Sequence, residues 1–175
     1  MNKKRIIFSV LAVFAFCISV TAQYVDRSST KVGVMAGIPM GDLSDFSKIA
    51  LGVDVAFHWG VSELFDVGIA TGFINAFGET DSATVGDITI EGSFDNYQVI
   101  PVAAAVRLYP TYNFKLGADV GYAVGVNEGN DGGFYWRPVI GYNISGNTEL
   151  NVSYININND GESFSIAALG LLFLF

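Results

Sequence analysis

Cysteine is almost absent from this 175-residue chain. The one copy, Cys17, lies in an apolar run near the start. That run, Ile6 to Val20, follows the basic stretch Met1-Asn-Lys-Lys-Arg5 and leads to Val20-Thr21-Ala22. The pattern is that of a secretory signal peptide over residues 1–22, cut before Gln23. The run is short of the ~20 residues of a spanning helix. Phe14-Ala-Phe16 is too bulky ahead of Cys17 for a lipoprotein site. The mature chain, residues 23–175, therefore has no cysteine, which excludes disulfides and thiolate metal centres.

Positive charge is scarce as well. The chain has 9 Lys and Arg against 17 Asp and Glu. Loss of Lys3, Lys4 and Arg5 leaves 6 bases and a mature net charge of −11. Such a balance argues against nucleic acid as a partner. Histidine occurs once, as His58. After residue 22 no apolar run is long enough for a membrane helix. Yet the mean hydropathy is +0.42. A soluble domain rarely joins this acidity to this hydropathy. A membrane barrel does, because its apolar band and acidic loops are separated in space.

What is present is alternation of period two. Eight segments carry it: Thr30–Met40, Ile49–Trp59, Phe65–Ala76, Asn96–Leu108, Phe114–Val126, Phe134–Ile144, Thr148–Ile157 and Ser163–Phe175. In the second, Leu51, Val53, Val55, Phe57 and Trp59 alternate with Gly52, Asp54, Ala56 and His58. These lengths suit tilted membrane strands of ~9–11 residues. The fold class predicted is all-β, an eight-stranded antiparallel up-and-down transmembrane β-barrel.

Glycine and charge support one facing. Gly33, Gly37, Gly52, Gly68, Gly72, Gly117, Gly121, Gly125, Gly141 and Gly170 all share parity with the inner face. An eight-stranded lumen is barely wide enough for side chains, so small residues belong there. The strand-internal ionisable residues Lys31, Asp54, His58, Asp66, Arg107, Lys115, Asp119, Arg137 and Glu149 fall on that same face. On the lipid face a Lys or Arg at the midplane costs roughly 2–4 kcal/mol. Inside, four acids and four bases can form a lumen charge network.

The connections separate into two sets. Gly60–Leu64, Tyr109–Asn113 and Ser145–Asn147 are short. Gly41–Lys48, Phe77–Phe94, Asn127–Gly133 and Asn158–Glu162 are longer and hold most of the acids, with Lys48 their one base. The longer set is expected at the cell surface. Aromatics near the strand ends suggest two interfacial girdles: Phe57, Trp59, Phe65, Phe114, Phe173 and Phe175 at one end, Phe73, Tyr97, Phe134, Trp136 and Tyr154 at the other. Thr80–Ile90 is open between a hairpin protruding above the barrel, with an edge for a partner, and a mobile surface loop.

Several stretches resemble a known family. They are Val32-Gly-Val-Met-Ala-Gly-Ile-Pro-Met-Gly-Asp42, Val61-Ser-Glu-Leu-Phe-Asp-Val-Gly68, Ile100-Pro-Val102, Leu116-Gly-Ala-Asp-Val-Gly-Tyr122, Pro138-Val-Ile-Gly-Tyr142 and the final Phe175. Together they are similar to the outer-membrane β-barrel domain of Bacteroidota porin-family proteins. Small relatives of that family include the transmembrane domain of outer membrane protein A and outer membrane protein X. The resemblance implies export across the periplasm of a Gram-negative bacterium with the help of periplasmic chaperones. It implies insertion by the barrel-assembly machinery, which reads the last strand, so Phe175, Phe173 and Leu171 are assigned as the assembly signal. The final setting is the outer membrane, among its lipid and lipopolysaccharide. No peptidoglycan-binding domain follows the barrel, so a cell-wall tether is not carried over.

Chemistry-bearing candidates are few. His58 and Asp54 share a strand face, but four residues along a strand span ~13 Å, and no serine is suitably placed. No catalytic residue is assigned. Asn127-Glu-Gly-Asn-Asp-Gly-Gly133 and Asn158-Asn-Asp-Gly-Glu162 hold calcium-type oxygens. Neither matches an EF-hand, and Asn-Asp-Gly is ordinary turn chemistry. Gly121 to Gly125 is not a phosphate loop, since no helix follows. No cofactor and no metal are assigned. The expected role is structural or a cell-surface interaction, without catalysis. The alternatives are a small ion-conducting pore along the lumen charges, a lipid-modifying outer-membrane enzyme, and a soluble lipocalin-like barrel. The last would need an apolar lumen and a polar outside.

Overall fold

The structure, a computed structural model, describes residues 28–85, 88–159 and 161–175. The signal peptide assigned to residues 1–22 lies outside them. The described chain forms ten strands: β1 (Ser29–Gly41), β2 (Ser47–Ser62), β3 (Phe65–Gly78), β4 (Thr80–Val85), β5 (Ile88–Ser93), β6 (Tyr97–Leu108), β7 (Phe114–Gly125), β8 (Gly133–Ser145), β9 (Thr148–Asn159) and β10 (Glu162–Leu174). Eight of them close a barrel in the order β1-β10-β9-β8-β7-β6-β3-β2. Each barrel strand lies antiparallel to both neighbours. β4 and β5 pair with each other as a separate hairpin.

Closure depends on the first and last strands. Lys31 to Gly41 pair with Leu174 to Phe164 without a break. Beyond the ladder, Phe175 N–H donates to the Thr30 carbonyl at 2.8 Å, and Thr30 N–H donates to the Phe175 carbonyl at 3.1 Å. No strand edge of the barrel is left open, which an apolar strand in lipid requires.

The alternation puts apolar side chains outside. One residue from the middle of each barrel strand shows the belt: Val34, Val53, Ile69, Val102, Val120, Ile140, Val152 and Leu169 are 44% to 59% exposed. The interior is layered. Toward the end where β1 starts and β10 stops, here the terminal end, it is charged. Toward the opposite loop end it is apolar, with Ile74, Val99, Tyr135, Ile155, Ile157 and Ile166 buried. A 3-10 turn, Asp42–Asp45, follows Gly41 and folds Leu43 into that core, where it is fully buried. Gly41 makes the corner at φ 62°, a conformation that glycine adopts without cost.

The structure corrects three details of the sequence reading and decides a fourth that it left open. β2 runs on through Gly60–Ser62, leaving only Glu63 and Leu64 as the turn into β3. The connection Asn158–Glu162 is not long: Glu162 pairs with Asn159 across a two-residue turn. Gly161 has φ 100°, a conformation that glycine adopts without cost and tight hairpins need. For the stretch left open, Thr80–Val85 pairs with Ile88–Ser93, which favours the hairpin over the loop. Tyr97 leaves the aromatic girdle, because it has the parity of Val99 and Pro101 and is buried inside. It stacks on Phe164 with ring centroids 4.7 Å apart.

Candidate functional site

The barrel interior collects the polar chemistry of the strands. All nine ionisable residues placed inward by parity are buried there, each 7% exposed or less. Glu149 from β9 sits between two lysines. Its Oε2 receives Lys115 Nζ at 2.5 Å and Lys31 Nζ at 3.2 Å. Arg107 Nη1 donates to Asp119 Oδ1 at 2.6 Å and to the Val106 carbonyl at 2.9 Å. Arg137 grips Asp54 with two parallel bonds of 2.9 Å, Nη1 to Oδ1 and Nη2 to Oδ2. The planar guanidinium fork matches a carboxylate in this geometry. Asp66 accepts a hydrogen bond from Tyr109, over whose ring Lys115 Nζ lies at 5.6 Å.

These contacts span the barrel. Asp54 is on β2 and Arg137 on β8, on opposite walls. Glycine gives the long side chains their room. A Cβ on Gly141 would stand 2.7 Å from Glu149 Oε1 and 2.8 Å from Lys115 Cγ. One on Gly117 would meet the Arg107 side chain, and one on Gly170 would meet Asn151 Oδ1 at 2.7 Å.

His58 is brought near the cations rather than to Asp54. It is completely buried, and neither ring nitrogen has a partner among the described residues. Among the described residues no serine–histidine–acid arrangement forms around it. The space left in the network, lined in part by Lys31, His58, Arg107 and Glu149, is about 20 Å³. Among the described residues no three His, Cys, Asp or Glu side chains converge as a metal-ligand group.

Sequence reasoning missed a second polar cluster, on the outer face near the loop end. Trp136 Nε1 donates to Asn156 Oδ1 at 2.8 Å. Asn156 Nδ2 donates to Ser163 Oγ and Ser165 Oγ, both at 2.8 Å, and Tyr154 Oη donates to Ser165 Oγ at 2.8 Å. Asn75 and Gln98 pair similarly at 3.0 Å on the other side. Polar groups facing lipid must satisfy one another, so such clusters mark the rim of the apolar belt. The available signal was parity: Asn156 and Ser165 break apolar outward rows near their loop ends.

The closed eight-stranded barrel, apolar outside and charged within, has counterparts among solved structures. The chain has the fold of the small outer-membrane β-barrels. It is similar to Ail, the attachment invasion locus protein of Yersinia pestis, at 14% identity over 85% of this chain and 97% of that one, with a TM-score of 0.53. It is similar to Neisserial surface protein A at 11% identity over 85% and 97%, with a TM-score of 0.53. A de novo designed transmembrane β-barrel matches at 14% identity over 84% and 95%, with a TM-score of 0.50. No family model matches the chain, and no curated protein does.

Proposed function

We propose that this chain is an integral outer-membrane protein of a Gram-negative bacterium with a structural or surface-interaction role and no catalytic one. The observation that carries this reading is the outer face. Every barrel strand contributes exposed aliphatic side chains, while the nine ionisable residues placed inward by parity are buried inside. In water a belt of this kind drives aggregation, and in lipid it is the anchoring surface. The loop end, with its acids, faces the cell exterior, and the terminal end faces the periplasm.

Within the fold we place the chain with the Bacteroidota porin-family barrels, on the stretches Val32–Asp42, Val61–Gly68 and Leu116–Tyr122. Its lasting contacts are outer-membrane lipid and lipopolysaccharide. Periplasmic chaperones and the barrel-assembly machinery serve it during biogenesis, with Phe173, Phe175 and Leu171 of the closing segment as the recognised side chains. The name of Ail speaks of attachment and invasion, which supports a surface role for a barrel of this size.

The test is fractionation. The mature chain is expected with the outer membrane, migrating faster on gels unheated than boiled. Recovery as a soluble periplasmic protein overturns the reading. A changed lipid A mass spectrum in a deletion strain overturns the non-catalytic part alone.

A further inference from the structure

The loop end of the barrel is a concave mouth of about 390 Å³, within the ~300–1,000 Å³ of small-molecule sites. Four carboxylates line it: Asp95 ahead of β6, Glu128 and Asp131 between β7 and β8, and Glu162 at the start of β10. All four residues are exposed, and none is paired with a cation among the described residues. The one base in the long loops, Lys48, is bonded to Glu79 at 3.1 Å. The floor is aromatic, made by Phe46, Tyr97 and Phe164. Phe164 packs on both, at 6.1 Å from Phe46 and 4.7 Å from Tyr97.

Acids alone would make only a solvated rim. The second observation is the Tyr97 hydroxyl. Tyr97 lines this mouth yet is 8% exposed, and its oxygen has no hydrogen-bond partner among the described residues. A buried hydroxyl without a partner is unfavourable, so a ligand donor that satisfies it is favoured. The acidic loop is also held in shape. Asn127 Oδ1 receives Gln98 N–H at 3.1 Å, Asn130 Nδ2 donates to the Gln98 carbonyl at 2.8 Å, and Asn130 Oδ1 receives Gly132 N–H at 3.0 Å. A site fixed before binding loses less to ordering.

We propose that this mouth binds an extended organic cation, a chain of aliphatic ammonium groups, supplied by a free polyamine or by a lysine-rich peptide. The carboxylates do not converge, which disfavours a calcium ion needing 6–8 close oxygens. Spread acids suit charges spaced along a flexible chain. The aromatic floor attracts ammonium through the ring faces and covers the methylenes between. One ammonium N–H donates to the Tyr97 oxygen. This inference deepens the surface-interaction reading above by giving its ligand chemistry.

The experiment is calorimetric titration of the full mature barrel in phosphatidylcholine nanodiscs, with spermidine, trilysine and calcium chloride as separate probes. Saturable binding of spermidine, trilysine or both is expected, and the pattern identifies the source. Glu128→Gln with Glu162→Gln should weaken it about tenfold at low salt. Tyr97→Phe should weaken it severalfold without lowering the unfolding midpoint, since no protein hydrogen bond is lost. Heat-modifiable migration checks that each variant is folded. Saturation by neither amine overturns the inference. So does equal binding by the folded double variant, or displacement by calcium at matched ionic strength. Fractionation failure would instead strike the outer-membrane reading, because this titration does not depend on where the chain resides in the cell.

Discussion

At the residue scale the lumen is governed by the cost of isolating a buried charge. Breaking one side of such a pair costs about 3–5 kcal/mol, while replacing both is far milder. Arg137→Ala leaves Asp54 alone in the lumen and should lower barrel stability by about that much. The double variant with Asp54→Ala should regain part of the loss. Urea titration followed by unheated gel migration measures both. A single variant as stable as the parent would mean that the 2.9 Å fork contributes nothing. The glycines are the counterpart of these charges. Gly141→Val inserts carbon where Lys115 and Glu149 already lie. It should reduce the folded fraction and lower the unfolding midpoint, more than Val139→Ile in the same strand. Parity alone placed these glycines inside. Which ion pair each one accommodates depends on contacts across the barrel, which no single strand encodes.

At the element scale the strands are set by alternation and interrupted by proline. The β3–β6 ladder passes from Thr71–Val102 to Ile74–Val99, skipping Pro101. The β8–β9 ladder passes from Trp136–Asn156 to Val139–Ser153, skipping Pro138. The β1–β2 ladder stops at Gly37–Ala50, short of Pro39. Proline lacks the N–H that a two-sided strand needs, so each one leaves one side of its ladder unpaired. The closing element is β10. Deleting Phe175 removes its two main-chain bonds to Thr30 and an exposed aromatic. Membrane insertion should fall, read as the heat-modifiable fraction in outer membranes. Unchanged insertion would remove Phe175 from the assembly signal.

At the scale of the whole molecule, the filled lumen bears on conduction. Leu43 and aromatic side chains pack inside toward the loop end, and the ion pairs lie inside toward the terminal end. Planar bilayers holding the purified barrel should show no unitary conductance steps. Steps that vanish on substitution of Arg107 or Asp119 would restore the pore reading. Steps unaffected by either would point to a path outside the charge network.

The sequence by itself determined the eight barrel strands, their facing and the burial of charge. Each follows from a period-two pattern that a strand imposes on its own residues. Only the tertiary structure decided which acid meets which base, because partners such as Asp54 and Arg137 are separated by 83 residues in sequence. It alone placed Leu43 in the core and Tyr97 beneath the acidic mouth. Those positions arise when the barrel closes and connections from different hairpins meet at one end. Closure is a property of all eight strands together, and no local pattern carries it.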